Sequence, residues 1–505
     1  MIRSHLPTGV FGAVTLLAAA AIAGPTSPTQ TDTSSSAQPG QRIAVPTPLE
    51  AFATPHHHAI SKIVYLERCS GDCTINKGTI NDARTNTSTI PQGTGPFTIP
   101  EYRNAMGQTG TDADAEWNAI VQCVREVYSP FNVVVTDQKP TGGVAYHLAV
   151  IAGSPGNVGL DDSVLGIAPL AGDCSPQDNV ISFSFANAHG PSERVNTVCW
   201  TASQETAHAF GLDHEFEFVP DKRSACNDPM TYRSDCGGQK FFRNELAACG
   251  EFNARQCQCG SSQNSHLKIL SVFGAGSPIT GLPNSVVTFP AAGAQLGAVV
   301  AASAGSKRGV AKVELLINGF KWAEAKGAGF GTNGQANPSP YSIQVPGNVP
   351  GGVIDLVARA YDDLGDYADS EPVRVTKGAA CTDATTCAAG QRCDAEGRCL
   401  WDPPAGELGA DCTYPQFCKS LQCEGTAEQK ICTQPCVPGS TDSCPADSGL
   451  ACVETGPGQG VCFFGGDDEG GGCCSVNNKS APWIHGLVAA ALLCVLGRRR
   501  RRSAS

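Results

Sequence analysis

The chain reads as a multidomain protein: an α+β domain, then an all-β sandwich, then small disulfide-rich modules, and last a short hydrophobic tail. Three observations predict this. Strand-like and helix-like apolar periodicities alternate over residues 59–265. Short alternating segments broken by Gly and Pro follow over residues 266–378. Twelve of the 25 cysteines then crowd into residues 381–462, where apolar content is too low for a core without disulfide staples.

A length of 505 residues calls for several domains. Sparse charge (16%) and 57 glycines suit a β-rich extracellular protein better than a helical cytosolic one. The net charge of −12 argues against nucleic acid or an anionic lipid surface as partner. So many cysteines point to an oxidising compartment. Arg3 precedes an apolar run that ends Ala21-Ile22-Ala23, which predicts a signal peptide over residues 1–23. The run is short for a membrane anchor. Residues 24–58 are rich in Thr, Ser, Pro and Gln and read as a disordered linker. Its His56-His57-His58 triplet is a poor metal site, because consecutive side chains do not converge on one ion.

Within residues 59–265, the apolar stretch 63–66 predicts a first strand, and residues 117–128 an amphipathic helix with Ile120, Val121, Val124 and Val127 on one face. Strands are predicted over 131–135, 144–152 and 179–185 from β-branching and alternation, and a second helix over 195–210. The ten cysteines here allow five disulfides, and Cys226 and Cys236 are placed to clamp the segment between them.

The second helix ends in Gln204-Glu205-Thr206-Ala207-His208-Ala209-Phe210-Gly211-Leu212-Asp213-His214. Positions 204 and 208 lie one turn apart, so both can face one ion. Gly211 accepts the left-handed conformation that ends a helix and returns the chain, bringing in His214. Asp228-Pro229-Met230-Thr231-Tyr232 follows. The pattern resembles the metzincin signature H-E-x-x-H-x-x-G-x-x-H with Gln204 in place of the first histidine, followed by a Met-turn. That resemblance implies Zn2+ held by His208, His214 and Gln204, with Glu205 as general base. It implies Met230 as the floor of the site and Tyr232 as a further ligand or oxyanion donor. An amide is a poorer zinc donor than imidazole, and Tyr232, Asp213 or Glu215 are the residues available to compensate. A cysteine-switch latency is not expected, since no Cys precedes Cys69.

Segments 310–319, 340–346 and 356–362 resemble, in order, those of bacterial Ig-like domains, for which a spacer role is expected. In residues 379–464 the cysteines at 381, 387, 393 and 399 are spaced by six, and eight more follow. The C-x-x-C pairs of zinc modules are missing, so disulfides are expected. Residues 465–505 hold a Gly-rich acidic stretch, Cys473-Cys474, an apolar run over 482–497 and five arginines from Arg498 to Arg502. This order resembles the myxobacterial C-terminal sorting tail. It implies processing and lipid attachment at Cys473 or Cys474 and display on the outer membrane; a plain C-terminal anchor is the other reading. The expected function is a secreted, surface-anchored zinc endopeptidase whose partners are extracellular proteins or peptides and a membrane. The alternative is a catalytically impaired adhesin or binding protein on the same fold.

Overall fold

The computed structural model describes residues 40–53, 60–327, 338–425, 429–436, 444–445, 448–456 and 459–464. The signal peptide, the His56-His57-His58 triplet, Cys473, Cys474 and the arginine tail lie outside them. The described chain is a multidomain, mixed α/β protein carrying disulfide-bonded small modules.

The first domain is built on a six-stranded sheet. Its strands are β1 (Gln41–Thr47) and β2 (Ile63–Glu67), then, after a small sheet of β3 (Cys73–Lys77), β4 (Thr87–Ser88) and β5 (Phe97–Ile99), β6 (Val134–Thr136), β7 (His147–Ile151), β8 (Val164–Ala171) and β9 (Ile181–Ser184). The order across the sheet is β1-β8-β9-β7-β2-β6. β7 and β9 are buried along their whole length, as expected for strands covered on both faces. Helix α1 (Asp114–Tyr128) buries Trp117, Ile120, Val121, Val124 and Val127, the three-to-four spacing of an amphipathic helix, and opens with Asp114 and Glu116 at its positive end. Helix α2 (Arg194–His208) packs on α1, and Cys123–Cys199 ties the two together.

Two boundaries differ from the sequence reading. Residues 41–47, assigned by composition to a linker, form β1 and pair in parallel with β8, Arg42 opposite Gly166 and Thr47 opposite Ala171. A seven-residue strand inside a Pro- and Thr-rich window leaves little trace in composition, yet Ile43 and Val45 pack on the core. At the other end the domain runs past residue 265. Helix α3 (Ser265–Phe273) follows a small sheet of β10 (Glu215–Phe218), β11 (Arg223–Ser224) and β12 (Ala247–Cys249) and buries Ile269 and Phe273 in the same core. The Phe273 ring meets Phe210 edge-on at 4.8 Å.

The second domain packs two antiparallel sheets over one core. One holds β13 (Asn284–Phe289), β14 (Val299–Gly305) and β17 (Ser339–Gln344). The other holds β15 (Lys312–Ile317), β16 (Phe320–Lys326), β18 (Gly352–Tyr361), β19 (Tyr367–Asp369) and β20 (Val373–Lys377). β18 alternates buried and half-buried residues throughout, the period-two pattern of a strand with one face inward. The domains meet at a buried ion cluster: Arg308 and Arg243 both donate to Asp363, at 2.7 and 2.9 Å for the closest contacts. Asp363→Ala leaves two buried guanidinium groups uncompensated and is expected to cost about 3–5 kcal/mol. Chemical denaturation reads it directly, and a loss below about 1 kcal/mol would show the cluster to be solvated.

The twelve cysteines of residues 381–462 form three pairs of disulfides in one pattern, first to third and second to fourth: 381–393 with 387–399, 412–423 with 418–432, and 436–452 with 444–462. Every sulfur is thereby spent on a covalent bond and is not free for a metal. Reduction is therefore expected to unfold this region, while a chelator leaves it folded. Loss of its protease resistance on chelation with thiols blocked would contradict the assignment.

Candidate functional site

Helix α2 carries Gln204, Glu205 and His208, all three without exposure. Gly211 ends the helix with φ +87°, and a Cβ there would fall 2.0 Å from the Cys174 carbonyl oxygen. Both conformation and space therefore require glycine. The chain turns back, and His214, just ahead of β10, comes to face His208. Their Nε2 atoms are 3.1 Å apart.

Each ring is fixed from behind. His208 Nδ1 lies 2.7 Å from the Leu212 carbonyl oxygen, and His214 Nδ1 lies 2.9 Å from Glu251 Oε1. Both partners are acceptors, so both Nδ1 atoms donate and the Nε2 lone pairs converge. Two lone pairs at that distance repel unless a proton or a metal cation sits between them. Zn–N bonds of about 2.0–2.1 Å at a tetrahedral angle put two nitrogens on the order of 3.3 Å apart, close to what is seen. Burial, with His214 adding to it, pushes the His208 imidazole down to about 3, so this ring is neutral and able to ligate.

Glu251 is a residue the sequence reading missed. Burial works against its charge, but hydrogen bonds from His214 and then Arg255 prevail and hold its carboxyl well below the usual range. Arg255 also grips Asp213 through two bonds of 2.7 and 2.8 Å. Asp213, His214 and Glu251 lie close enough together to suit a metal, but the Arg255 guanidinium already supplies the positive charge between the two carboxylates. Asp213 is thus committed elsewhere, and Glu215 is bonded to Gln263 at 3.1 Å. The other Glu215 oxygen is buried without a partner.

The Gln204 amide has no hydrogen-bond partner at either Oε1 or Nε2, and neither Glu205 oxygen has one. Polar groups buried in this way cost several kcal/mol together unless something satisfies them. Burial pushes the Glu205 carboxyl well above its ordinary range, with the Arg42 charge pulling the other way. Arg42, also missed from sequence, stands on β1. Its Nε donates to Thr201 Oγ1 at 2.7 Å, and its guanidinium lies over the Trp200 ring, 3.5 Å from the centroid.

Met230 is fully buried, and its turn is well braced. Glu215 N donates to the Met230 carbonyl at 2.7 Å, Asp228 Oδ1 accepts from Met230 N at 2.8 Å, and Trp200 Nε1 donates to the Pro229 carbonyl at 2.8 Å. Cys226–Cys236 closes the surrounding loop. The Tyr232 ring packs edge-on against His214 at 4.7 Å, and its hydroxyl donates to the Arg42 carbonyl oxygen. The structure thus brings His208, His214 and Tyr232 into contact, with Gly211 forming the turn that makes this possible, while Gln204 and Glu205 are buried on the same helix as His208 and Met230 is buried in the braced turn before Tyr232.

No family model matches the chain, and no curated protein matches it. Among solved structures, the fibronectin(III)-like modules of Clostridium thermocellum CbhA align at 21% identity over 19% of this chain and 94% of that one, with a TM-score of 0.14. Catalytically inactive OgpA from Akkermansia muciniphila, in complex with an O-glycopeptide substrate (glycodrosocin), aligns at 9% identity over 65% of this chain and 94% of that one, also with a TM-score of 0.14. At that TM-score neither alignment carries an argument about fold, activity or substrate.

Proposed function

We propose that this protein is a secreted, metzincin-like zinc endopeptidase acting on extracellular proteins or peptides. The observation that carries the reading is the pair of imidazole Nε2 atoms converging at 3.1 Å, each ring held by a donor bond from its other nitrogen. The buried, unpartnered amide of Gln204 and carboxyl of Glu205 lie on the same helix as His208, within the turn before it. His208 and His214 would hold the metal, with Gln204 as the neutral oxygen donor one turn before His208. When bound, zinc supplies a Lewis acid that acidifies a water molecule and polarises a carbonyl. Glu205 would be the group placed to accept a proton from water there and return it to the leaving amine. The Tyr232 hydroxyl, which already donates to a backbone carbonyl, steadies the oxygen on which charge develops. Leu212 and Glu251 hold the imidazole tautomers throughout.

The test is zinc stoichiometry by elemental analysis on the purified protein, run beside cleavage of a fluorescent peptide library. Zinc at one equivalent with metal-dependent cleavage supports the reading; zinc without cleavage favours a binding protein on the same scaffold.

For location, the signal peptide and the Cys473-Cys474, apolar and arginine tail support surface display. Among the described residues no helix is long and apolar enough to cross a membrane. Removing residues 482–505 is expected to release the protein into the medium. Retention on cells at the full-length level would refute the sorting role.

A further inference from the structure

Resting on the peptidase reading of the site, we infer that β1 is a built-in occupant of the peptide cleft, an autoinhibitory strand anchored by Arg42 on the Trp200 ring. Four observations carry this. β1 adds to the outer edge of β8 as the last strand of the sheet, and an extended peptide binds a sheet edge by the same addition. Its register partner at Arg42 is Gly166, where a Cβ would come within 2.5 Å of Glu205 Oε1, so β1 crosses the sheet beside the proposed base. The Arg42 carbonyl oxygen accepts the Tyr232 hydroxyl, the donor assigned above to the reacting carbonyl.

The fourth observation is what β1 buries. β7 and β9 are buried along their whole length, while in β1 only Arg42 and Thr47 are buried and Ile43 and Val45 are half-buried. One of its two buried residues is a cation held by the Trp200 face and Thr201, which is how a pocket takes a ligand side chain. Lys240 lies 3.2 Å from the same ring centroid, so sterics place it on the opposite face from Arg42. At its far end the segment is pinned by Phe52 in the core and by paired backbone bonds with Asn81, so displacement involves residues 40–53 as a unit. While β1 is seated, the edge of β8 and the Tyr232 hydroxyl are both taken.

The test uses the full chain with a site-specific protease sequence inserted between Ala53 and Ile60. After nicking, the N-terminal fragment is expected to separate on size exclusion, with the near-UV dichroism of the remainder retained and cleavage of the peptide library raised at least about tenfold. A synthetic peptide of residues 40–53 should rebind, followed by fluorescence anisotropy, and suppress cleavage. The same peptide with Arg42→Ala should bind at least about tenfold more weakly, having lost a cation–π contact and a hydrogen bond. In the un-nicked chain, Arg42→Met should raise the rate without nicking. A nicked fragment that stays bound, or whose removal unfolds the domain, would show β1 to be a permanent core strand; so would a cleavage rate already maximal before nicking. Rebinding that depends on Arg42, with zinc bound and no cleavage in any state, would overturn the peptidase reading and leave the cleft-occupying strand intact.

Discussion

Replacing Glu205 by glutamine is expected to abolish peptide cleavage while zinc occupancy stays at the wild-type value. Glu205 lies next to Gln204 on α2 and is fully buried, with neither oxygen hydrogen-bonded. Its role in the proposed chemistry is to accept a proton, and glutamine keeps its size without that basicity. Loss of a general base costs about 10²–10⁴-fold in rate, which should bring cleavage to background. The metal is held by other side chains, so elemental analysis should not change. Stability gives an independent reading. A buried carboxyl without a partner is a group the fold tolerates rather than uses, so Glu205→Gln should melt no lower than wild type. Cleavage that survives in Glu205→Gln would refute the mechanism. A large drop in melting temperature would show that the carboxyl is structural after all.

Much of this site was legible before any coordinates. The offsets of Glu205, His208, Gly211 and His214 follow from helix geometry and one turn, and the structure reproduces that turn at Gly211 with φ +87°. Tyr232, which packs against His214, was marked by its short motif. What could not be read were contacts made across long sequence separations. Glu251 reaches His214 from 37 residues downstream, inside a loop stapled by Cys249–Cys257 and Cys174–Cys259, and nothing in its neighbours marks it. Arg42 reaches Thr201 across 159 residues. Its strand lay in a window whose Thr, Ser and Pro content signals disorder, although Ile43-Ala44-Val45 carried a faint strand signal of its own. β8 was missed because Gly166 and Pro169 interrupt its apolar pattern, yet Gly166 is the residue whose missing side chain gives Glu205 its room. α1, α2, β2, β6, β7 and β9 were predicted within a few residues because their periodicity is local.

Gln204→His is expected to tighten zinc binding by on the order of a hundredfold or more, since imidazole is the better donor and the helical position already lies one turn from His208. The wild-type amide sets up a sharp comparison. It is buried with both polar atoms unpartnered, an arrangement costing roughly 1–3 kcal/mol for each group. If Gln204 were mere filling, Gln204→Leu would remove that cost, raise the melting temperature and leave zinc affinity untouched. If the amide oxygen is the third donor, Gln204→Leu stabilises the metal-free protein and weakens zinc binding, while Gln204→His strengthens it. Competition titration with a chromophoric chelator, alongside melting curves with and without zinc, separates the two. Cleavage should follow affinity at limiting zinc, with the histidine variant fastest. Equal zinc affinity in wild type, Gln204→His and Gln204→Leu would remove Gln204 from the site. Full zinc occupancy in Gln204→His with no cleavage, even after the N-terminal strand is displaced, would assign the scaffold to binding rather than hydrolysis.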